Sequence, residues 1–439
     1  MPLFNLRGIS LPHKKGTAKS VPCAIPSPKS VLIPLSMHIG APATPVVKTG
    51  DTVKIGQVIA EVNGYVSAKI HASVSGKVKS TDTAVLSNGK QIPSILIESD
   101  GLDEIYEGIT PPTINSFEDF IAAIRESGIV GLGGAGFPTA VKLNTRNVDQ
   151  IIVNGAECEP YITSDTRTML DRVDDIRDGL DLIARWLAPK QILFGIEKNK
   201  PECIASMSEL CKNYDNASVR ALKSLYPQGG EKVLIYHLTK KVVPEGKLPL
   251  DVGVVVINCT TLAEIGKYAK TGMPLVSKCI TIDGGAVAEP KNIIAPIGTR
   301  ISEIIESCGG LKVPAKKILL GGPMMGWAVE SVEMPVMKNT NALLFFTEKE
   351  ATYPKESNCI KCGACTNICP LGLDPKAFVQ ALRANDDDAL VTLKANICME
   401  CGCCSYVCPS KRLIVHTNKI SKERALQIIK QRKEENQND

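Results

Sequence analysis

A multidomain α/β protein is the fold class that the sequence predicts, and three patterns predict it. A valine- and isoleucine-rich stretch from Ile33 to Ile97 is cut by turn dipeptides at short, regular intervals. Residues 115–265 alternate helical with strand-like segments, and near the C-terminus a twelve-residue cysteine run is written twice, as CIKCGACTNICP and CMECGCCSYVCP. The 439 residues suffice for three or four domains, each large enough to bury its own core.

The first stretch reads as strands because Gly50-Asp51, Asn63-Gly64, Ser75-Gly76 and Asn88-Gly89 supply the residues that tight turns need. Within it, VKTGDTVKIGQVIAEV and AKIHASVSGKVKS resemble the two halves of a biotinyl/lipoyl-type barrel-sandwich domain. A carrier of that type presents its modified lysine at a hairpin tip. This chain has Val62-Asn63-Gly64-Tyr65 there, and Lys69 sits too near the next strand to substitute. Residues 1–110 are therefore read as a structural barrel-sandwich domain without a prosthetic group.

Further on, SFEDFIAAIRES is amphipathic at helical spacing, DQIIVNG is strand-like, DIRDGLDLIARWL is helical and QILFGIE is strand-like again. That order predicts an α/β core over 115–267 with a largely parallel sheet. KCITIDGGAVAEPKNIIAPIGTRISEII places two strand-like pieces and a turn before an amphipathic helix, which predicts a small β-grasp-like unit over 268–347. A stretch around Pro335 and Pro354 leads into a helical, cysteine-bearing domain over 350–416, and residues 417–439 close the chain as a charged helical tail.

Composition excludes several classes. A net charge of +5, dispersed along the chain, gives no footprint for nucleic acid. The longest apolar run, near VGVVVIN, falls far short of the roughly 20 residues that span a bilayer, and MPLFNLRGIS lacks a secretory apolar region. Of 16 cysteines, eight occupy matching positions in the two runs and the others are scattered. Clustered thiols of this kind point to metal in a reducing compartment rather than to disulfides.

Cys359, Cys362, Cys365 and Cys369 are spaced x2, x2, x3 and followed by Pro370; Cys398, Cys401, Cys404 and Cys408 repeat the spacing before Pro409. This is the bacterial ferredoxin pattern for two [4Fe–4S] clusters, in which three close cysteines hold one cubane and the fourth reaches across to the other. Cys359, Cys362, Cys365 and Cys408 are thus expected to hold one cluster, and Cys398, Cys401, Cys404 and Cys369 the other. Structural zinc sites pair two C-x2-C knuckles and lack the x2-x2-x3 run ending in proline. Cys403 has Ala364 as its counterpart in the first run and is read as a non-ligand. The intervening LGLDPKAFVQALRANDDDALVTLKANI has helical spacing, with Pro375 near a helix start. Two such clusters pass single electrons, so a donor and an acceptor must be sought elsewhere in the chain.

GIVGLGGAGFPTAVK contains Gly131, Gly133 and Gly136, a literal G-x-G-x-x-G. A dinucleotide fingerprint follows a strand and opens a helix, whereas here an amphipathic helix precedes the glycines and Pro138 follows Phe137, so the Rossmann reading fails on context. Glycines in this number still let a backbone approach a phosphate or flat ring closely.

GLGGAGFPTAVK, VNGAECEP, YPQGGEKVLI and VVINCTTLAEI resemble, in order, the FMN- and NADH-binding segments of the flavoprotein subunit of respiratory complex I. With the barrel-sandwich part, the soluble-ligand-binding β-grasp unit, GGPMMG and the paired cysteine runs, nearly the whole chain resembles the RnfC family, whose members are components of the Rnf electron transport complex. The resemblance implies that Gly131, Gly133, Gly134 and Lys142 face the FMN phosphate and ring, that Asn154 and Glu157 stand beside the isoalloxazine, and that Gly229, Gly230 and Asn258 complete the pocket. It also implies that Phe137 stacks near the NADH adenine and that Glu159 and Glu231, as catalytic carboxylates, approach the nucleotide's hydroxyls or nicotinamide. The chain departs from the complex I pattern at Leu132, Ala156 and Gly230, where that family has arginine, aspartate and glutamate.

A two-electron carrier and one-electron carriers in one chain need a converter, and flavin is one. The resemblance implies an oxidoreductase subunit carrying FMN and two [4Fe–4S] clusters, with NAD(H) as substrate. It would sit peripherally on the cytoplasmic face of the cell membrane, with partner subunits that meet ferredoxin and translocate Na⁺ or H⁺. Two rival readings are a microcompartment-associated corrin (cobalamin) reductase with the same modules, and a non-catalytic adaptor whose flavin pocket is empty.

Overall fold

The computed structural model describes residues 7–81, 83–85, 91–146 and 148–438; the Asn88-Gly89 turn lies outside them. The chain divides into two compact units. One takes residues 14–222 and 253–351, the other residues 7–13, 223–252 and 352–438.

The first unit begins as a barrel sandwich. Ser30–Pro34, Gln91–Ser99, Gly76–Ser80 and Thr52–Val53 lie side by side in one antiparallel sheet, with Thr83–Val85 pairing on Gln91–Ser99. A smaller sheet joins Thr44–Pro45, Val58–Glu61 and Ile70–His71. Alternation decides which side chains are enclosed: Val31 and Ile33, Val78, and Ile95 and Ile97 are fully buried.

The α/β core follows. Ala217–Leu222, Gln191–Glu197, Gln150–Gly155 and Val254–Asn258 form a four-stranded sheet in that order, with every pairing parallel. Val173–Leu187 turns Ile176, Leu180, Ile183 and Leu187 inward at helical spacing. It crosses Cys259–Thr271 at two glycines. A methyl on Gly179 would stand 2.2 Å from the Leu262 carbonyl oxygen, and one on Gly266 2.0 Å from that of Asp175, so only glycine allows this crossing.

The β-grasp-like part has its own core of Ile280, Ile282, Ile293, Ile301, Leu320 and Phe345. Ser277–Asp283 pairs antiparallel with Lys291–Pro296 and parallel with Ala342–Phe346, which in turn pairs antiparallel with Lys317–Leu320. Helix Ile301–Ser307 follows the first two strands, in the order expected from the sequence.

The second unit is mainly helical. Pro375–Arg383 starts with proline at its first turn and Asp374 accepting from the Lys376 and Ala377 amides, and Asp386 caps Asp387–Thr392 in the same way. The closing helix Ile414–Asn438 is not a loose tail: it buries Ala425 with Phe378 and Leu390, and Arg424 lies 2.7 Å from Asp387. No helix among the described residues is long and apolar enough to cross a membrane.

Candidate functional site

The α/β core brings several expected residues together at the carboxyl ends of its parallel strands, the edge at which open α/β sheets bind ligands. Asn154 and Asn258 are register partners on adjacent strands there. Asn258 ends its strand as the cap of Cys259–Thr271: its Oδ1 accepts from the Thr260 and Thr261 amides at 2.9 and 3.2 Å, while its Nδ2 donates to Asp165 at 2.7 Å. Asn154 Oδ1 accepts from the Ala156 amide at 3.2 Å.

The glycine loop is closed on itself by the Gly131 amide donating to the Phe137 carbonyl at 2.8 Å, and is tied to the same helix by the Leu132 amide donating to Thr261 Oγ1 at 2.9 Å. Gly133, Gly134 and Ala135 are exposed, and Phe137 is half-buried beside them. Gly136 takes φ +72°, and Asn339 donates to the Gly134 carbonyl at 3.0 Å. Lys142, in the short helix Thr139–Leu143, donates to the Val256 carbonyl at 3.1 Å, so its ammonium reaches the strand that carries Asn258.

The two carboxylates of VNGAECEP are engaged by the protein itself. Glu157 has φ +47° and a side chain only 3% exposed. It accepts from the Asp165 amide at 2.7 Å and from Thr166 Oγ1 at 2.6 Å, which supplies the N-terminus of Ser164–Asp171 with the cap its preceding residue, Thr163, does not give. Burial pushes its carboxyl up, against the pull of Lys15 3.9 Å away. Glu159 accepts from the Met324 and Met325 amides at 3.0 and 2.8 Å, holding the GGPMMG loop, and burial pushes its carboxyl up to about 7. Gly322 makes this approach possible, since a methyl there would stand 2.3 Å from the Glu159 oxygen.

Two lysines that carry no motif in the sequence clamp the same loop. Lys15 donates to the carbonyls of Glu157 at 2.9 Å, Glu159 at 2.8 Å and Ile162, and burial lowers its own pKa. Lys200 donates to the Ala156 carbonyl at 2.6 Å and lies 3.1 Å from the buried Glu197. On this loop both reach backbone oxygens, which leave no residue-type signature in a sequence.

Gly229, Gly230 and Glu231 belong to the other unit. Gly230 precedes helix Glu231–Thr239, and a methyl on it would stand 2.4 Å from Met399 Cε, between the first two cysteines of the second run. Tyr226 donates from its hydroxyl to the Cys401 carbonyl at 2.7 Å. The loop that carries the glycine pair therefore packs on the second cysteine run, a contact with no local motif.

The two cysteine runs share one backbone trace. Lys361 and Glu400 take φ +58° and +59°, and the glycines two residues on, Gly363 and Gly402, take +76° and +78°. Amides point toward sulfur: within the first run Lys361 donates to Cys359, and just past it Leu373 donates to Cys369, both at 3.4 Å. Cys369 of the first run meets Cys398, Cys401 and Cys404 of the second around one cavity, which Cys403 also lines. Cys365 packs against Cys404, Cys408 and Ile414. Among the described residues no three His, Cys, Asp or Glu side chains converge as ligands of a single ion. The thiols stand instead around a cavity wall, a donor set suited to a cubane with one thiolate for each iron. Cys359 and Cys362 are exposed, whereas Cys369, Cys401, Cys404 and Cys408 are buried.

The exposed glycine backbone fits a flavin mononucleotide: Gly133, Gly134 and Ala135 carry nothing larger than a methyl group to exclude a flat ring, and Asn154 and Asn258 lie at the adjoining strand ends. Comparison with known proteins agrees. The Nuo51 FMN-binding domain matches residues 124–267, the RnfC barrel sandwich hybrid domain 5–102, the SLBB domain 279–328 and a 4Fe-4S dicluster domain 358–412. The chain is 42% identical to the C component of the Na(+)-translocating ferredoxin:NAD(+) oxidoreductase complex of Acetobacterium woodii, over 98% of each chain. It is 44% identical to the C component of the proton-translocating complex of Clostridium ljungdahlii, over 82% of this chain and 80% of that one. With the C component of the ion-translocating oxidoreductase complex of Rhodobacter capsulatus it shares 38%, over 87% and 76%.

Proposed function

Because the chain belongs to the RnfC family of ion-translocating ferredoxin:NAD(+) oxidoreductase components, we propose that it passes electrons between NAD(H) and a one-electron partner, as a peripheral subunit on the cytoplasmic face of the membrane. Its partner subunits would meet ferredoxin and move Na⁺ or H⁺. The observation that carries this reading is the conjunction, in one chain, of an exposed glycine loop at the parallel-strand ends with two cysteine runs of matched backbone. Gly131, Gly133, Gly134, Asn154 and Asn258 would hold the FMN, with Lys142 toward its phosphate and Phe137 toward the nucleotide. When bound, the flavin supplies hydride exchange with nicotinamide and single-electron exchange with the clusters.

Glu157 acts by fixing Ser164–Asp171, and Glu159 by fixing the Met324–Met325 loop. Gly229 and Gly230 remain flavin contacts by resemblance, with Glu231 toward NADH. Their loop packs on Met399 and Cys401 within the helical unit, so the thiols of Cys398, Cys401, Cys404 and Cys369 are the more buried station of the relay. The exposed Cys359 and Cys362, with Cys365 and Cys408, are the outer one.

Anaerobic reconstitution tests the proposal: about eight irons and one FMN per chain are expected, with NADH bleaching the flavin band. About two metal ions per chain, as zinc, would sink the cluster assignment, and full iron without bleaching would favour a non-catalytic adaptor. Co-expression with the membrane subunits should bring the chain to the membrane fraction, where a microcompartment enzyme would not go.

A further inference from the structure

The outer cysteine loop is set in a distinctive surface. Residues 352–362 are all exposed. The loop is pinned to the segment after the second run by the Ser357 amide donating to the Ser410 carbonyl at 3.0 Å and by Ser410 Oγ donating to the Asn358 carbonyl at 2.9 Å. Arg412 adds a bond to the Ser357 carbonyl at 3.3 Å, so the two segments make one face. That face carries Lys355, Lys361, Lys411 and Arg412 against a single carboxylate, Glu356, which is occupied by the Leu413 amide at 2.9 Å. Among the cations stand two apolar side chains in solvent, Ile360 at 66% exposure and Leu413 at 41%.

We propose that residues 355–361 and 410–413 form a docking face for a protein that presents an acidic surface around its own one-electron centre. The inference rests on the two-cluster reading above. Its physical basis is complementarity: a cationic rim steers and orients an acidic partner, and a small apolar centre gives a contact that forms and releases quickly, as electron exchange requires. An electron crosses here one at a time. Two reduced carriers are therefore oxidised for each NAD⁺ reduced, with one proton taken from solvent, and the reverse holds in the opposite direction.

The test uses the full chain loaded with clusters and FMN, and an acidic two-cluster ferredoxin as a soluble stand-in for the acidic electron-carrying partner. Binding should weaken as salt rises, and Lys355→Glu with Lys411→Glu should weaken it about tenfold at low salt. The electron paramagnetic resonance signal that NADH elicits from the clusters should be unchanged in that variant. Equal affinity of variant and wild type, or binding indifferent to salt, overturns the docking face. Binding instead to phosphatidylglycerol vesicles, lost in the variant with no ferredoxin binding, would also overturn it by assigning the face to lipid. A missing NADH-elicited signal in the wild type is a different failure, since it removes the functional reading on which the inference stands.

Discussion

Gly133 and Asn258 are fitted to each other across the candidate flavin site: a methyl group on Gly133 would stand 2.6 Å from Asn258 Nδ2. Asn258 cannot yield easily, because both ends of its amide are committed, to the Thr260 and Thr261 amides and to Asp165. Gly133→Ala should therefore displace either the exposed loop or the helix cap. The expected outcome is a clear loss of bound FMN, read from the flavin-to-protein absorbance ratio after gel filtration, with iron content unchanged. Retention of flavin at wild-type occupancy would show that the ring does not rest on this loop.

The stability of the core should depend on pH through Glu159. Its carboxyl is pushed from the ordinary 4.5 up to about 7 by burial. In that interval the folded chain keeps a proton that the unfolded chain has lost, so this contribution is complete below 4.5 and fades as pH rises through about 7. Glu159→Gln cannot titrate, and the difference in melting temperature between wild type and variant should change across this window and level off above it. A constant difference from pH 4.5 to 7 would refute the assignment.

Lys338 makes the opposite contribution. It is buried, donates to the Lys69 and Gly128 carbonyls at 2.6 and 2.7 Å, and is pulled from 10.5 down to about 7 by burial. Its folded form releases a proton that the unfolded chain keeps, so stability rises with pH between about 7 and 10.5 and is lost as pH falls through 7. Lys338→Met should remove that rise. It should also cost about 1–3 kcal/mol in denaturant melts near pH 7, because two buried carbonyls lose their donor. Undiminished stability would mean that water replaces the ammonium.

The gathering of Cys369 with Cys398, Cys401 and Cys404 predicts crossed ligation. Cys369→Ala should perturb the same resonance signal as Cys401→Ala, although Cys369 belongs to the first run, and Cys408→Ala should match Cys362→Ala. Cys403→Ala should spare both signals. If Cys369→Ala instead matches Cys362→Ala, each run binds its own cluster.

What the sequence by itself determined is what depends on neighbours in the chain. The x2-x2-x3 spacing and the glycines that follow the second cysteine of each run force the same left-handed turn twice, so the loop shape of each run is written locally, whereas the meeting of Cys369 with the second run is not. Asp374 and Pro375 announce a helix start for the same reason, and the alternation of strand and helix between 115 and 265 is enough to specify a parallel sheet. The complex I-like segments pointed to Asn154 and Asn258, but only the parallel pairing of two strands distant in sequence made them neighbours. The assignment of 223–252 to the helical unit, the Lys15 clamp, the hold of Glu159 on Met324 and Met325, and the packing of Tyr226 on Cys401 were likewise decided by tertiary structure alone. Each of these contacts ends on a backbone carbonyl or amide, which every residue type offers. A bond of that kind leaves no pattern in the sequence, and the fold selects its acceptor by bringing distant backbone within reach.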